Sequence, residues 1–135
     1  MAQLFYDTVH TICIKDYTSE QLCAWADGKI ELDKWNRSFL QNYTLVAVED
    51  GHIMGFGDIT PQGYLDRLFV HRAFQNHGIG SALCSRLECW PDTEHITVHA
   101  SITARPFFER RGYRVLQKRK AIRAGVGLIY YVMEK

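Results

Sequence analysis

The spacing of apolar residues changes along the chain and divides it into two stretches. Through the first third the apolar positions recur at helical spacing. Leu4, Phe5, Thr8, Val9 and Ile12 would share one helix face. Thr18 or Ser19 can cap a second short helix through Leu22, Cys23 and Trp25, with Gln21 at the capping-box position and Asp27-Gly28 as its end. Asp33 opens a third helix through Trp35, Phe39 and Leu40. From Tyr43 onward, β-branched and aromatic residues dominate. Tyr43 to Glu49 and His52 to Thr60 read as strands joined by the two-residue turn Asp50-Gly51, and Pro61-Gln62-Gly63 leads into a third strand, Tyr64 to Val70. Helical spacing returns from Gly78 to Trp90 and stops at Pro91. His95 to Ala100 is a strand. Thr103 to Arg111 is a short helix closed by Gly112 as its C′ residue, and Tyr113 to Gln117 and Leu128 to Met133 are final strands joined by a basic, glycine-containing loop.

The strand–helix–strand passage from Val70 to Ile96 makes those two strands parallel and lays the helix across one sheet face. The three middle strands form an antiparallel meander, and another short helix precedes the last two strands. The expected fold is therefore α/β (α+β), a mixed, mostly antiparallel sheet flanked by helices. A length of 135 residues suits one domain, residues 1–135, with one core.

Composition narrows the functional classes. Apolar residues make up 47% of the chain and charged ones 23%, a globular balance, and the formal net charge of +1 gives no global attraction to nucleic acid or to a membrane. No apolar run approaches the roughly 20 residues needed to span a bilayer, and the first residues lack a signal-peptide pattern. Cys13, Cys23, Cys84 and Cys89 form no C-x-x-C pair, so they read as reduced, mostly buried thiols of a cytoplasmic protein. His95 and His99 flank the apolar Ile96 and Val98 on a strand, where four positions are not one helical turn, and no metal site is expected.

The segment with the clearest chemistry is Leu68-Phe69-Val70, followed by Gln75-Asn76-His77-Gly78-Ile79-Gly80-Ser81 and an amphipathic helix. A helix start offers several unpaired N–H groups and a partial positive charge. Behind a tight loop these converge on an anion, and glycines at 78 and 80 would let the backbone approach phosphate oxygens. There is no G-x-x-x-x-G-K-[ST] phosphate loop. Gly55-x-Gly57 lies within a strand, where it marks a bulge or a close backbone approach.

Gln75-Asn76-His77-Gly78-Ile79-Gly80 after Val70 resembles motif A of the GNAT acetyltransferases, [QR]-x-x-G-x-[GA]. Ser101 through Tyr113 resembles their motif B, N-x-x-A-x-x-x-Y-E-x-x-G-[FY], in the right order and at a suitable separation. The resemblance covers residues 43 to 135 well and the helical start more loosely. It implies acetyl-CoA as cosubstrate, with its pyrophosphate on the N–H groups of Asn76 to Ser81. Its pantetheine arm would lie along the backbone of Leu68, Phe69 and Val70, and its thioester beside Phe107 and Phe108. Two departures stand out: Ser101 replaces the motif B asparagine, and Phe108 the tyrosine often proposed to protonate the leaving thiolate. The family's first β-strand also has no counterpart before the first helix, so Tyr43–Glu49 should form a sheet edge, protected by loops or by a homodimer.

Transfer of an acetyl group to an amine needs a proton acceptor, a polarised carbonyl and a leaving thiolate. Asp66 is the candidate base: two positions before Leu68, it would share that residue's sheet face, and in an apolar strand its pKa could rise. An N–H near Val70 would polarise the carbonyl, and Ser101 or Tyr130 could supply a proton. The cations Arg110, Arg111, Arg114, Lys118, Arg119, Lys120 and Arg123 form either a solvated hairpin face or an attraction for the cosubstrate's 3′-phosphate or an acidic acceptor. Trp25, Trp35, Phe39 and Tyr43 pack the core or line an acceptor pocket. The expected activity is acetylation of a primary amine on a small molecule or peptide. The alternative is a non-catalytic acetyl-CoA-binding module, motivated by Phe108 and the missing first strand.

Overall fold

The computed structural model describes residues 1–28, 31–75, 77–123 and 125–135. Its elements run α1 (Ala2–Thr11), α2 (Ser19–Trp25), α3 (Leu32–Gln41), β1 (Tyr43–Glu49), β2 (His52–Ile59), β3 (Tyr64–Val70), α4 (Ile79–Cys89), β4 (Thr97–Ser101), α5 (Arg105–Arg110), β5 (Arg114–Arg123) and β6 (Val126–Glu134). The strands form one sheet in the order β1-β2-β3-β4-β6-β5, with β3–β4 its parallel pair. The mixed, mostly antiparallel architecture is the expected one, and β1 is a sheet edge, with Val46 and Val48 exposed on it.

Local signals explain most of the boundaries. Thr18 and Gln21 form a full capping box: the Gln21 N–H donates to the Thr18 hydroxyl, and the Thr18 N–H donates to the Gln21 side chain. Asp50 and Gly51 both have positive φ, as a tight hairpin turn demands. Several boundaries shift by two residues, and one differs more. The basic loop after Gln117 is strand: β5 pairs with β6 as far as Arg123↔Val126. Antiparallel pairing to the long apolar β6 outweighs the unfavourable run of like charges, because successive cations point to opposite faces.

Two apolar layers hold the sheet. On one face α4 and α5 pack Leu83, Cys84, Leu87 and Phe108 against Ile59, Leu65, Val98, Ala100 and Met133. On the other, α1 to α3 pack Val9, Leu22 and Phe39 against Phe56, Phe69 and Leu128. The glycines of β2 allow the first contact. A Cβ on Gly57 would stand 2.9 Å from the Arg67 carbonyl and 2.9 Å from a Leu87 methyl, and one on Gly55 would stand 3.0 Å from the Phe69 carbonyl. That is the close backbone approach the sequence suggested. All four cysteines are unpaired, with Cys13 and Cys84 buried but Cys23 and Cys89 exposed, where mostly buried thiols were expected. Among the described residues no helix is long and apolar enough to cross a membrane.

Tyr17 ties the helical layer to the end of the sheet. Its hydroxyl donates to the Ile129 carbonyl at 2.8 Å and accepts from the Ile102 N–H at 2.8 Å. Burial pushes its pKa up to about 12, so the O–H is retained. Tyr17→Phe strands both backbone partners and is expected to cost about 1–3 kcal/mol. The measurement is the urea midpoint at unchanged slope, and an unmoved midpoint would mean that neither bond matters.

Candidate functional site

The site begins where β3 and β4 stop pairing. They are in register only at Tyr64↔Thr97 and Leu65↔Val98, and beyond that point they diverge. A bulge starts the divergence. Asp58 opposes Arg67 while Ile59 opposes Leu65, so Asp66 is an extra residue in β3. Its consequence corrects the reading of the strand. Leu68 joins Leu65 on the α4 face, whereas Asp66 lies with Arg67 on the opposite face, 3.7 Å from its guanidinium. Asp66 and Leu68 therefore do not share a sheet face, because the bulge resets the alternation between them.

The backbone of the diverging strand is presented as the sequence suggested. The His71 N–H donates to the Met54 carbonyl at 2.7 Å. Counting back through the antiparallel β2–β3 ladder, Gly55↔Val70 and Gly57↔Leu68 are then the pairs whose polar groups turn away from each other. The N–H and C=O groups of Leu68 and Val70 thus face the opening. The Val70 carbonyl accepts from the Thr8 hydroxyl at 3.1 Å and from the Gln75 amide at 2.6 Å, which ties α1 and the loop before α4 to the strand.

A cleft of about 890 Å³ fills the divergence, a volume suited to a small-molecule site. Its lining includes Leu68, Phe69, Val70, Gln75, Gly78, Ile79, Gly80, Ser81, Phe107 and Phe108, together with Asp66 and Ser101. His77 is exposed and does not line it, and Asn76 lies outside the described residues. At one end stands the start of α4. Gly78, at φ +79, is its N-cap and supplies no side-chain cap. The Ala82 N–H returns to the Gly78 carbonyl, and the earlier first-turn N–H groups, of Ile79, Gly80 and Ser81, border the cleft. Gly78 answers a conformational demand, since its φ is positive and a Cβ there would meet nothing within 4 Å; a Cβ on Gly80 would stand 3.4 Å from Phe107 and 3.5 Å from Val70, ordinary contact that leaves little room for a larger side chain. Arg111 is committed elsewhere, to Glu88 at 2.6 Å. Phe108 is buried against Tyr113, with ring centroids 5.0 Å apart.

The other end of the cleft is polar. Burial, then the nearby Asp58 charge, holds the Asp66 carboxyl above its ordinary range, against the opposing pull of Arg67 and His99. His99, on β4, is exposed on the same sheet face. Burial, then Arg119, lowers its pKa, with Asp66 opposing. Its ring lies 5.1 Å from that of Tyr64 and 5.2 Å from that of Tyr130. Burial and Asp66 push Tyr64 up to about 12. Ser101 Oγ accepts the Ala104 N–H at 3.0 Å, which leaves its own proton free to donate.

Sequence reasoning set His99 aside as an ordinary strand residue and did not place Thr8 or Cys13 at the site; all three line the cleft. The signal for His99 was its position between Val98 and Ala100, both buried on the opposite face. Of the four aromatic candidates, Trp25 lines the cleft. Phe39 is core, Trp35 packs against it, and Tyr43 stacks on Trp90. Among the described residues no group of three His, Cys, Asp or Glu side chains is arranged to hold a metal ion.

A parallel pair that splays beside a helix start, in a sheet covered on both faces, defines an acyl-coenzyme A transferase fold. An acetyltransferase (GNAT) domain model matches residues 13–135, and the chain belongs to the GNAT acetyltransferase family. It is 30% identical over 120 residues to the uncharacterized N-acetyltransferase YafP of Escherichia coli K12, covering 89% of this chain and 77% of YafP. A GCN5-related N-acetyltransferase from Rhodopseudomonas palustris superposes with a TM-score of 0.94 at 28% identity, covering 99% of this chain and 86% of that one. The PaiA N-acetyltransferase of Thermoplasma acidophilum, solved with coenzyme A, shares the fold at a TM-score of 0.76 and 17% identity, over 99% of this chain and 89% of its own.

Proposed function

We propose that this chain transfers an acetyl group from acetyl-CoA to a primary amine of a small molecule or peptide, directly, with both substrates bound. The observation that carries the reading is the single cleft joining the uncapped start of α4 to Asp66 through the gap between β3 and β4. The donor residues fit the cosubstrate. The first-turn N–H groups of α4 are suited to a diphosphate, the Leu68 and Val70 backbone to an amide-bearing arm, and Phe107 to the thioester end.

Acetyl-CoA supplies the activated acetyl group. Asp66, directly or through a water, takes the proton the amine must lose, and its raised pKa makes it a stronger base than an ordinary carboxylate. The amine nitrogen bonds to the carbonyl carbon as the carbon–sulfur bond breaks. The Val70 N–H is placed to steady the charge on the carbonyl oxygen, and the thiolate departs with the electron pair, with the Ser101 proton available to it. Phe108 has no proton to give, and a thiolate leaves readily without one.

The test is release of free thiol on mixing the protein with acetyl-CoA and an amine panel, alongside calorimetry with coenzyme A. Binding without turnover across the panel would favour a coenzyme-binding module; no binding would remove the reading. Gly80→Val adds methyl groups between α4 and Phe107, and is expected to raise the coenzyme A dissociation constant at least about tenfold, roughly 1.4 kcal/mol. Titration calorimetry reads this directly, and an unchanged constant would place the diphosphate elsewhere.

A further inference from the structure

Just outside the lining of the cleft's polar end, the same face of the sheet carries an uncompensated cation, Arg119, close enough to His99 to lower its pKa. Ser101 on β4 pairs with Tyr130 on β6, and Tyr130 pairs with Arg119 on β5, so these three side chains form one row across the face that also bears His99 and Asp66. With neighbouring strands about 4.8 Å apart, Arg119 stands about 10 Å from the Ser101 backbone, and its long side chain can reach back along the row.

Of the three arginines that line the cleft, Arg67 and Arg111 are neutralised, and Arg110, on α5, has no carboxylate within 4 Å among the described residues; Arg105 and Arg114, outside the lining, are paired. Arg67 meets Asp58, Arg105 meets Glu109, Arg111 meets Glu88 and Arg114 meets Glu134. Arg119 is bonded to a neutral partner, Nε to the Gln117 amide oxygen at 2.8 Å, and among the described residues no carboxylate lies within 4 Å of it. The Nε bond orients the guanidinium and leaves its terminal nitrogens to receive an oxyanion. Two further observations point the same way. Lys15, whose neighbour Asp16 is engaged by the Thr103 hydroxyl at 2.8 Å, lines the cleft itself. Residues 114–133, which make up most of the β5–β6 hairpin, hold five cations and no acid, so the remainder of the chain, with eleven cations and fifteen acids, is net negative. The positive field is thus concentrated on the hairpin that flanks the acceptor end.

We propose that the acceptor amine carries an anionic group, a carboxylate or a phosphate, that Arg119 receives while the amine meets Asp66. This rests on the amine-acetylation reading above and names its substrate class. It also accounts for the arrangement of charge: a carboxylate base at one end of the acceptor and a guanidinium at the other fix the molecule's direction in the cleft.

The experiment measures kcat/KM by thiol release for ω-amino carboxylates of increasing chain length, each beside its neutral amide isostere, and for ω-amino alkyl phosphates. An anionic acceptor is expected to exceed its neutral isostere at least about tenfold at one chain length, with the advantage shrinking as salt is added. Whether carboxylate or phosphate leads identifies the anion. Arg119→Gln is expected to bring the ratio close to one, and Arg119→Lys to restore part of it; because the comparison is a ratio, a general loss of rate in either variant cancels. Equal or better turnover of the neutral isosteres, or a preference that survives Arg119→Gln, overturns the assignment while leaving amine acetylation standing. Absence of turnover with every amine removes amine acetylation itself, and this assignment with it.

Discussion

Asp66→Asn is expected to lower kcat about 100-fold while leaving the affinity for coenzyme A unchanged, the size of effect that follows loss of a positioned proton acceptor. Asparagine has nearly the same shape, so the bulge and the Arg67 contact can persist while the basic oxygen is lost. The wild-type rate should fall in acid as Asp66 protonates, at a pH above the ordinary carboxyl value of 3.8 because its folded pKa is raised. The variant should lose that limb. His99, lowered from its ordinary value, also protonates in acid, so it is the loss of the limb in Asp66→Asn that assigns it to Asp66. Stability should move the other way, and the sign follows from linkage. A carboxyl whose pKa is higher folded than unfolded contributes stability below its unfolded pKa and loses it as pH rises through the folded one. Asp66→Asn should therefore melt above wild type at pH 7, with the difference vanishing toward pH 3.8 and below. Unchanged turnover across the pH range would remove Asp66 from the chemistry. A melting difference that persists in acid would show that the effect is not one of charge.

Asp58→Ala is expected to destabilise the fold by about 3–5 kcal/mol, the largest single-residue effect on stability in this molecule. Asp58 is fully buried. Its carboxylate accepts from Arg67 Nε at 3.0 Å and Nη2 at 2.5 Å, and from the Asn42 amide at 2.9 Å. The Arg67 guanidinium lies 3.7 Å from the Phe39 ring centroid, with the side chain only 12% exposed. Removing the carboxylate therefore leaves a largely buried guanidinium with only the longer Asp66 contact at 3.7 Å, and it is this under-compensated cation, more than the lost bonds, that sets the magnitude. The double change Asp58→Leu with Arg67→Met removes both charges and should recover much of the loss, as read from chemical denaturation midpoints. If the single and double changes cost the same, the pair's energy lies in packing and not in charge. Catalysis should suffer as well, because the Asp58–Arg67 pair spans the bulge that holds Asp66 in place and the Asp58 charge helps raise its pKa.

These two carboxylates show how unevenly the site could be read. Asp66 is visible in the sequence as an acid in an apolar strand close to the glycine-containing helix start, but strict alternation would put it on the face of Leu68. The bulge that breaks alternation is set by a register shift at Asp58 and Ile59 on the neighbouring strand, and nothing local to Tyr64–Val70 announces it. Asp58 drew no attention at all, because its importance lies in partners at positions 42 and 67. His99 and Asp66 are 33 positions apart, yet they meet because a parallel crossover returns the chain next to β3. Arg119 was legible only as one of a run of cations. Its distinction from Lys118 and Lys120 is the sheet face it occupies, and that depends on β5 continuing as strand where a loop was expected.

By contrast, the order and kind of the elements follow from the chain alone, since they rest on contacts a few residues long. The Thr18–Gln21 capping box, the Asp50-Gly51 turn, the αL glycines at 78 and 112 and the helical stripe of Ile79, Leu83 and Leu87 are all short-range constraints, and each is realised. The helix start suited to a phosphate is of the same kind, because a glycine N-cap and three free N–H groups belong to one turn of chain. What only the tertiary structure decided is pairing: which strands lie adjacent, where one slips by a residue, and hence which side chains share a face. A strand's register is an agreement between two segments distant in sequence, and a one-residue shift moves every side chain beyond it to the other side of the sheet. The end of the cleft proposed for the coenzyme is built from one turn and one strand, which local sequence can specify. The end proposed for the acceptor is assembled from β3, β4, β5, β6 and the first two helices, which local sequence cannot specify.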